Sequence, residues 1–229
     1  MKTKQWFRDV MMENHIKNSR KLTDAAQFNI NPFLAVYLAN FLTGSSDAKG
    51  IAKALVYPRV LGTSITGSFG TQMQGFISEV LAGYGSAIAG IDIEFVDQVD
   101  GLRKYCQLKL GPNTINKDDV ETISGHFNRV IRLAKTNNLR IALEDMVVGV
   151  LYGEPSQLSS HYRRIGSQYH FPVLAGADFW HRLTGDSDFF ADLLVAIGEV
   201  AREADFRQEL DRIIDTLAES ESIQQLSRH

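Results

Sequence analysis

A single cysteine among 229 residues removes any disulfide framework and any zinc site built from several thiolates. Six histidines form no HxH or HxxxH pair, which removes the usual imidazole zinc signature as well. The 5 prolines and 18 glycines gather into no linker or low-complexity tract, and no segment repeats, so the sequence predicts one domain. No apolar run approaches the roughly 18 residues that span a bilayer. The opening stretch MKTKQWFRDVMMENH is polar and mixed rather than signal-like, so the expected location is the cytoplasm. Neither sign of charge dominates: 24 Lys and Arg stand against 27 Asp and Glu, which argues against a general polyanion binder.

With 44% apolar and 22% charged residues, the composition is that of an ordinary globular protein able to bury a full core. Charge is uneven along it. Residues 100–140 carry eight basic and four acidic side chains, residues 186–229 eleven acidic and four basic, a pattern compatible with a basic working face and an acidic helical back. The first 60 residues read as helical, with a start signal at Asn31-Pro32 and a stop at Tyr57-Pro58. Residues 62–70, rich in Gly, Ser and Thr, read as a loop leading into a helix from about Thr71 to Ala82. Their Walker-like glycine spacing lacks the phosphate-gripping lysine, and no Gly-x-Ser-x-Gly elbow exists to mark a serine nucleophile.

Residues 91–97 (IDIEFVD) and 102–110 (LRKYCQLKL) alternate in polarity about the turn signal Asp100-Gly101 and predict a β-hairpin. A helix is expected from about Lys117 to Asn137, buried strands at 146–152 and 171–174, and helical periodicity from Ser187 to about Ser222. Side chains two apart on a strand share a face, so Asp92 and Glu94 form one stripe and Tyr105, Gln107 and Lys109 another, with Cys106 and Leu108 turned to the core. Pairing the strands gathers two carboxylates, an amide and an ammonium. Such a set suits phosphodiester hydrolysis: carboxylate oxygens bind a hard divalent cation such as Mg²⁺, and a lysine beside the attacking water orients it or accepts its proton. An exposed hairpin face of paired charges is the other reading that alternation allows.

The run from Gln107 to Asn116 (QLKLGPNTIN), preceded by GIDIEF at 90–95, resembles the PD-(D/E)XK nuclease core in the form found in type II restriction endonucleases. INPF at 30–33, PRV at 58–60, VVGVLYG at 147–153, Tyr162-Arg163, AGADFW at 175–180 and EAD at 203–205 extend the likeness. Together they look like the small restriction enzyme family that cuts the degenerate palindrome RGGNCCY. The resemblance implies an α/β fold with a small mixed sheet flanked by helices: a helical N-terminal part over about 1–60, a catalytic core over about 61–180 and a C-terminal helical part over about 187–222. It also implies a homodimer acting on double-stranded DNA with Mg²⁺, for which Mn²⁺ substitutes, and a DNA methyltransferase as genetic rather than physical partner.

Carried over residue by residue, the resemblance makes Asp92 or Glu94 the first metal ligand, Gln107 the occupant of the second acidic slot and Lys109 the catalytic lysine. Glutamine at 107 departs from the pattern, since its neutral oxygen is a weaker ligand for a hard cation; Glu94 can restore the missing charge. In the preceding helix Gln74 stands where an acid is expected, and Glu79 is the helix's one carboxylate. DNA contacts are expected from Asn113, Thr114, Asn116 and Lys117 after the catalytic strand, and from Arg59 with Ser64 and Thr66 before it. Arg163 and Arg164, read as lying in a loop, are candidates for reading guanine edges. A catalytically weakened DNA-binding relative, or a repair or mobile-element nuclease of the same fold, are the competing functions.

Overall fold

The computed structural model describes residues 2–81 and 83–228, with the side chains of Thr63 and Ser64 outside the described ones. The chain divides into two compact units, Gly70–Ala196 and a second made of Thr3–Phe69 with Ile197–His229. The first holds a five-stranded mixed sheet in the order β1 (Tyr84–Gly85), β2 (Ile93–Val96), β3 (Arg103–Lys109), β4 (Met146–Val150), β5 (Val173–Ala175). The strands β1, β2 and β3 are antiparallel; β3, β4 and β5 run parallel. Parallel neighbours need crossovers, and helices α6 (Lys117–Thr136) and α7 (Ser160–Tyr169) supply them.

The hairpin forms as expected, and its register sets Ile93 opposite Cys106 and Glu94 opposite Tyr105. Its turn is pinned by Asp97, whose fully buried carboxylate accepts from Arg182 of helix α8 (Ala177–Thr184) at 2.8 Å. Helix α6 starts in a reciprocal cap, Asn116 accepting from the Asp119 amide and Asp119 from the Asn116 amide. Its apolar positions Val120, Ile123, Phe127 and Val130 recur at helical spacing and bury against one sheet face with Met146, Val148, Val150 and, from α7, Tyr162 and Ile165. The opposite face is packed by Phe95, Phe179 and Trp180. Gly149 of β4 permits this approach, because a Cβ there would meet Phe179 at 2.5 Å and the Cys106 sulfur at 2.9 Å.

The second unit is helical: α1 (Lys2–Trp6), a π-helical turn at Phe7–Met12, α2 (Glu13–Arg20), α3 (Pro32–Thr43), α4 (Ala48–Pro58), a π-helical turn at Arg59–Thr63, the start of α5 (Ser64–Val80), the end of α9 (Phe189–Ala204), α10 (Arg207–Ala218) and α11 (Glu221–Leu226). Ile51, Ala52 and Val56 of α4 bury with Ile213, Ile214 and Leu217 of α10. The acidic C-terminal helices are not a bare negative back. Lys4 pairs with Glu199, Arg8 with Glu203, Arg20 with Glu209 at 2.7 Å and Lys49 with Asp215 at 2.6 Å, so basic N-terminal residues pair with four of the eleven acids in that run.

Three local expectations are corrected. The stop at Tyr57-Pro58 does not occur: the missing proline N–H is accommodated by the wider π-helical turn that follows, while Val56 and Val60 stay buried. The loop at 62–70 is helix instead, since Phe69, Met73, Phe76, Ile77 and Val80 keep a helical period that outweighs the glycines. The predicted end of that helix at Ala82 lies outside the described residues. Residues 161–170 are no loop either; Tyr162 and Ile165 form the buried face of α7. Strand β1 was not predicted, being two residues long.

Candidate active site

The polar stripe of the hairpin does not face solvent. It lies on the face that α6 covers, with Tyr105 packed into that core and Gln107 opposite Val148, so the exposed-hairpin reading is overturned. At the C-terminal end of β3 the stripe opens outward, and there the Lys109 side chain is 27% exposed. Its Nζ lies 3.9 Å from Asp119 Oδ1 on the first turn of α6.

Asp92 stands just ahead of β2, its amide donating to the Cys106 carbonyl at 2.9 Å. Its Oδ2 accepts from the Leu108 amide at 2.7 Å, which holds the carboxylate across β3 between Gln107 and Lys109 and leaves the other oxygen for a ligand. Gln74 of α5 donates to the Asp92 carbonyl at 3.0 Å, fixing the backbone from the other side. Glu94 is differently engaged: buried, it accepts from Ser86 at 2.6 Å and faces Arg103 at 3.6 Å, at the end of the stripe beside β1.

Gln107 is buried, and its Nε2 donates to the Gly90 carbonyl and to His126 Nδ1, the latter at 2.8 Å. Gly90 has φ +88°, and a Cβ there would meet the His126 ring at 2.4 Å, so glycine alone permits this packing. The amide oxygen of Gln107, by contrast, is buried without a hydrogen-bond partner. A buried acceptor left unmatched costs about 1–3 kcal/mol. The donor set fits a hard divalent cation, which would accept oxygen lone pairs from the Asp92 carboxylate and from this amide. Among the described residues no three His, Cys, Asp or Glu side chains converge, and the amide is the donor that such a grouping omits. Cys106 is fully buried, and burial, with the Asp92 charge, pushes its thiol well above the ordinary range. It is not a nucleophile.

Downstream, Gly111 and Pro112 are buried whereas Asn113, Thr114, Asn116 and Lys117 are exposed. The loop is tied to α7: Tyr162 donates to the Gly111 carbonyl at 3.0 Å and sits 3.0 Å from Thr114 Oγ1. Burial pushes the Tyr162 phenol up to about 12, so it remains a neutral donor across the working range. Tyr162→Phe is expected to cost about 1–2 kcal/mol, read as a lowered urea midpoint with unchanged slope. Arg163 is exposed on α7, while Arg164 bonds Gln168 at 2.7 Å and stacks near Tyr169. Arg59 and Thr66 belong to the other unit, with Arg59 over the Phe28 ring; the Ser64 side chain lies outside the described ones. Within the basic run, Lys104 is buried and paired with Asp100 and Asp145, so it is structural rather than part of a basic face.

Sequence reasoning missed Asp119 and His126. The Asn116-x-x-Asp119 spacing of a capping box was a signal for the first; nothing local marks His126, whose role depends on α6 crossing the hairpin. No protein of curated function matches the chain. The model of the family described as Type II restriction endonuclease EcoO109I matches residues 16–205. That span includes the whole sheet, both crossovers and every candidate site residue, so the chain belongs to this family and is a type II restriction endonuclease, a hydrolase of DNA.

Proposed function

We propose that the enzyme is the nuclease of a restriction–modification system, cutting double-stranded DNA at a short palindrome of the RGGNCCY kind, with a PD-(D/E)XK core and a Mg²⁺ requirement that Mn²⁺ can meet. The observation that carries this reading is the pairing of a carboxylate, held over β3 by the Leu108 amide, with the buried amide oxygen of Gln107, which has no partner and stands two residues before Lys109. Asp92 and Gln107 would hold the cation, whose charge, when bound, polarises the scissile phosphate. Glu94 is the less suitable first ligand, because Ser86 and Arg103 already engage it.

Lys109 does the remaining work. In this reading its side chain, at the open end of β3 and 3.9 Å from Asp119, orients the attacking water by donating to it as an ammonium, or takes the water's proton as the neutral amine. Asn113, Thr114, Asn116 and Lys117 present donors to phosphate oxygens from the exposed loop, and Arg163 offers a fork to guanine O6 and N7. Excess EDTA is expected to stop cleavage, and Ca²⁺ to support binding without cutting. Cutting undiminished by EDTA would sink the metal reading.

Gln107→Glu tests the amide's part. The added charge faces the cation, so half-maximal rate should come at a Mg²⁺ concentration several-fold lower. The same change removes the donor to the Gly90 carbonyl, so the metal-free protein should lose about 1–3 kcal/mol. A Mg²⁺ titration of both proteins on one substrate, beside their melts, checks it; an unchanged or raised requirement takes Gln107 out of the metal shell. The weakened-relative reading, which rests on this same glutamine, predicts no cutting by the wild type at any Mg²⁺ concentration.

A further inference from the structure

Helix α3 is inverted. Its buried positions are the small ones, Ala35 and Ala39, which pack with α4, while its large residues point outward. Phe33 is 86% exposed, Tyr37 63% and Phe41 79%, with Leu34, Leu38 and Leu42 at 49%, 37% and 50%. These six recur at i, i+4 and i+8 in two adjacent rows, and Tyr37 stacks on Phe41 with ring centroids 6.0 Å apart. No charged residue occurs anywhere in Pro32–Thr43.

Taking about 200 Å² for a fully exposed aromatic residue, the stripe offers roughly 600–700 Å². That is at or beyond the largest apolar patch of an ordinary monomer, and close to the roughly 800 Å² that each partner buries in a standard interface. A lipid surface is a poor match, because helices that lie on membranes flank their apolar face with Lys and Arg. A partner recognised by charge is a poor match for the same reason. A patch without charges is complementary to itself, since two copies related by a two-fold axis bring no like charges together.

We infer that α3 is the face through which two copies of this chain pair. Antiparallel packing of one α3 on another sets Phe33 against Leu42 and Leu34 against Phe41, with Tyr37 and Leu38 nearest the axis. The dimer itself belongs to the proposed cleavage of a palindrome; the choice of face rests on the exposure of α3 alone.

The test is sedimentation velocity on the full chain at about 10 μM, without DNA or metal. The wild type is expected at the mass of two 25.6 kDa chains and Phe41→Glu at the mass of one, with unchanged circular dichroism. Tyr37→Cys is expected to form a covalent dimer on oxidation, and buried Cys106 serves as the unreactive control in the wild type. A monomeric wild type overturns the inference. So does a dimer that survives Phe41→Glu, or one in which Tyr37→Cys fails to cross-link. Because no DNA is present, a monomer that cuts sinks only this inference, and a dimer through α3 that never cuts sinks only the nuclease mechanism.

Discussion

Lys109→Ala is expected to slow cleavage by about 10³-fold, the scale on which a positioned proton-transfer group acts. Its stability should hardly change, because the side chain is partly exposed and its contact with Asp119 is a long ion pair at 3.9 Å, of the class that contributes little. Asp92→Ala should be equally inactive but less stable by about 1–2 kcal/mol, because it also strips the Leu108 amide of its acceptor. Asp92→Asn separates the two effects: the neutral oxygen still accepts from Leu108, while the charge for the cation is gone. Single-turnover rates, melts and Ca²⁺-dependent gel shifts on the same DNA check all three. Lys109→Ala cutting within tenfold of the wild type would remove the lysine from the chemistry. If Glu94→Ala is inactive while Asp92→Asn cuts, the first ligand is Glu94.

Arg182→Ala should be strongly damaging to stability, at about 3 kcal/mol or more. It leaves the Asp97 carboxylate, which has no exposed surface, without its cation at the tip of the hairpin that carries Asp92, Gln107 and Lys109. The Asp97 carboxylate would keep the Val99 amide, which donates to it at 2.8 Å, but no neutralising charge. The same arginine reaches toward Asp100 at 3.8 Å, and Asp97 and Asp178 raise its already high proton affinity, so it remains charged throughout. The double variant Asp97→Asn with Arg182→Met should recover part of the loss, since the buried charge is then absent. Urea denaturation of the three proteins measures the coupling; additive losses would show that the pair does not anchor the turn.

The hairpin, α6, β4 and β5 were legible because their signals are local. Polarity alternates with period two about Asp100-Gly101, Asn116 and Asp119 sit at capping distance, and MVVGV is apolar without interruption, as a central strand buried on both faces requires. Pro58 and the glycines at 62–70 misled for the opposite reason. Each is a local breaker, and tertiary burial of Val56, Val60, Phe76 and Ile77 decided the outcome. In the site, strand parity already put the hairpin's polar side chains on one face, while the roles proposed for Asp92 and Lys109 are what the family resemblance implies. What parity cannot show is that the Gln107 amide nitrogen is spent on Gly90 and His126, or that Glu94 is taken by Ser86 and Arg103: His126 comes from α6, Gly90 and Ser86 from loops, and Arg103 from the far end of β3. Charge counts misled similarly: the acidic tail reads as a bare face until its N-terminal partners are packed against it.

In the proposed mechanism this chain cuts DNA at one symmetric sequence with a metal held near Lys109. The most direct measurement is to digest a panel of plasmids with Mg²⁺, sequence every end produced, and repeat the digest with Lys109→Ala. Ends that share one two-fold symmetric sequence, and that vanish in the variant, are the predicted result. Ends scattered without a common sequence, or the same ends produced by Lys109→Ala, would contradict it.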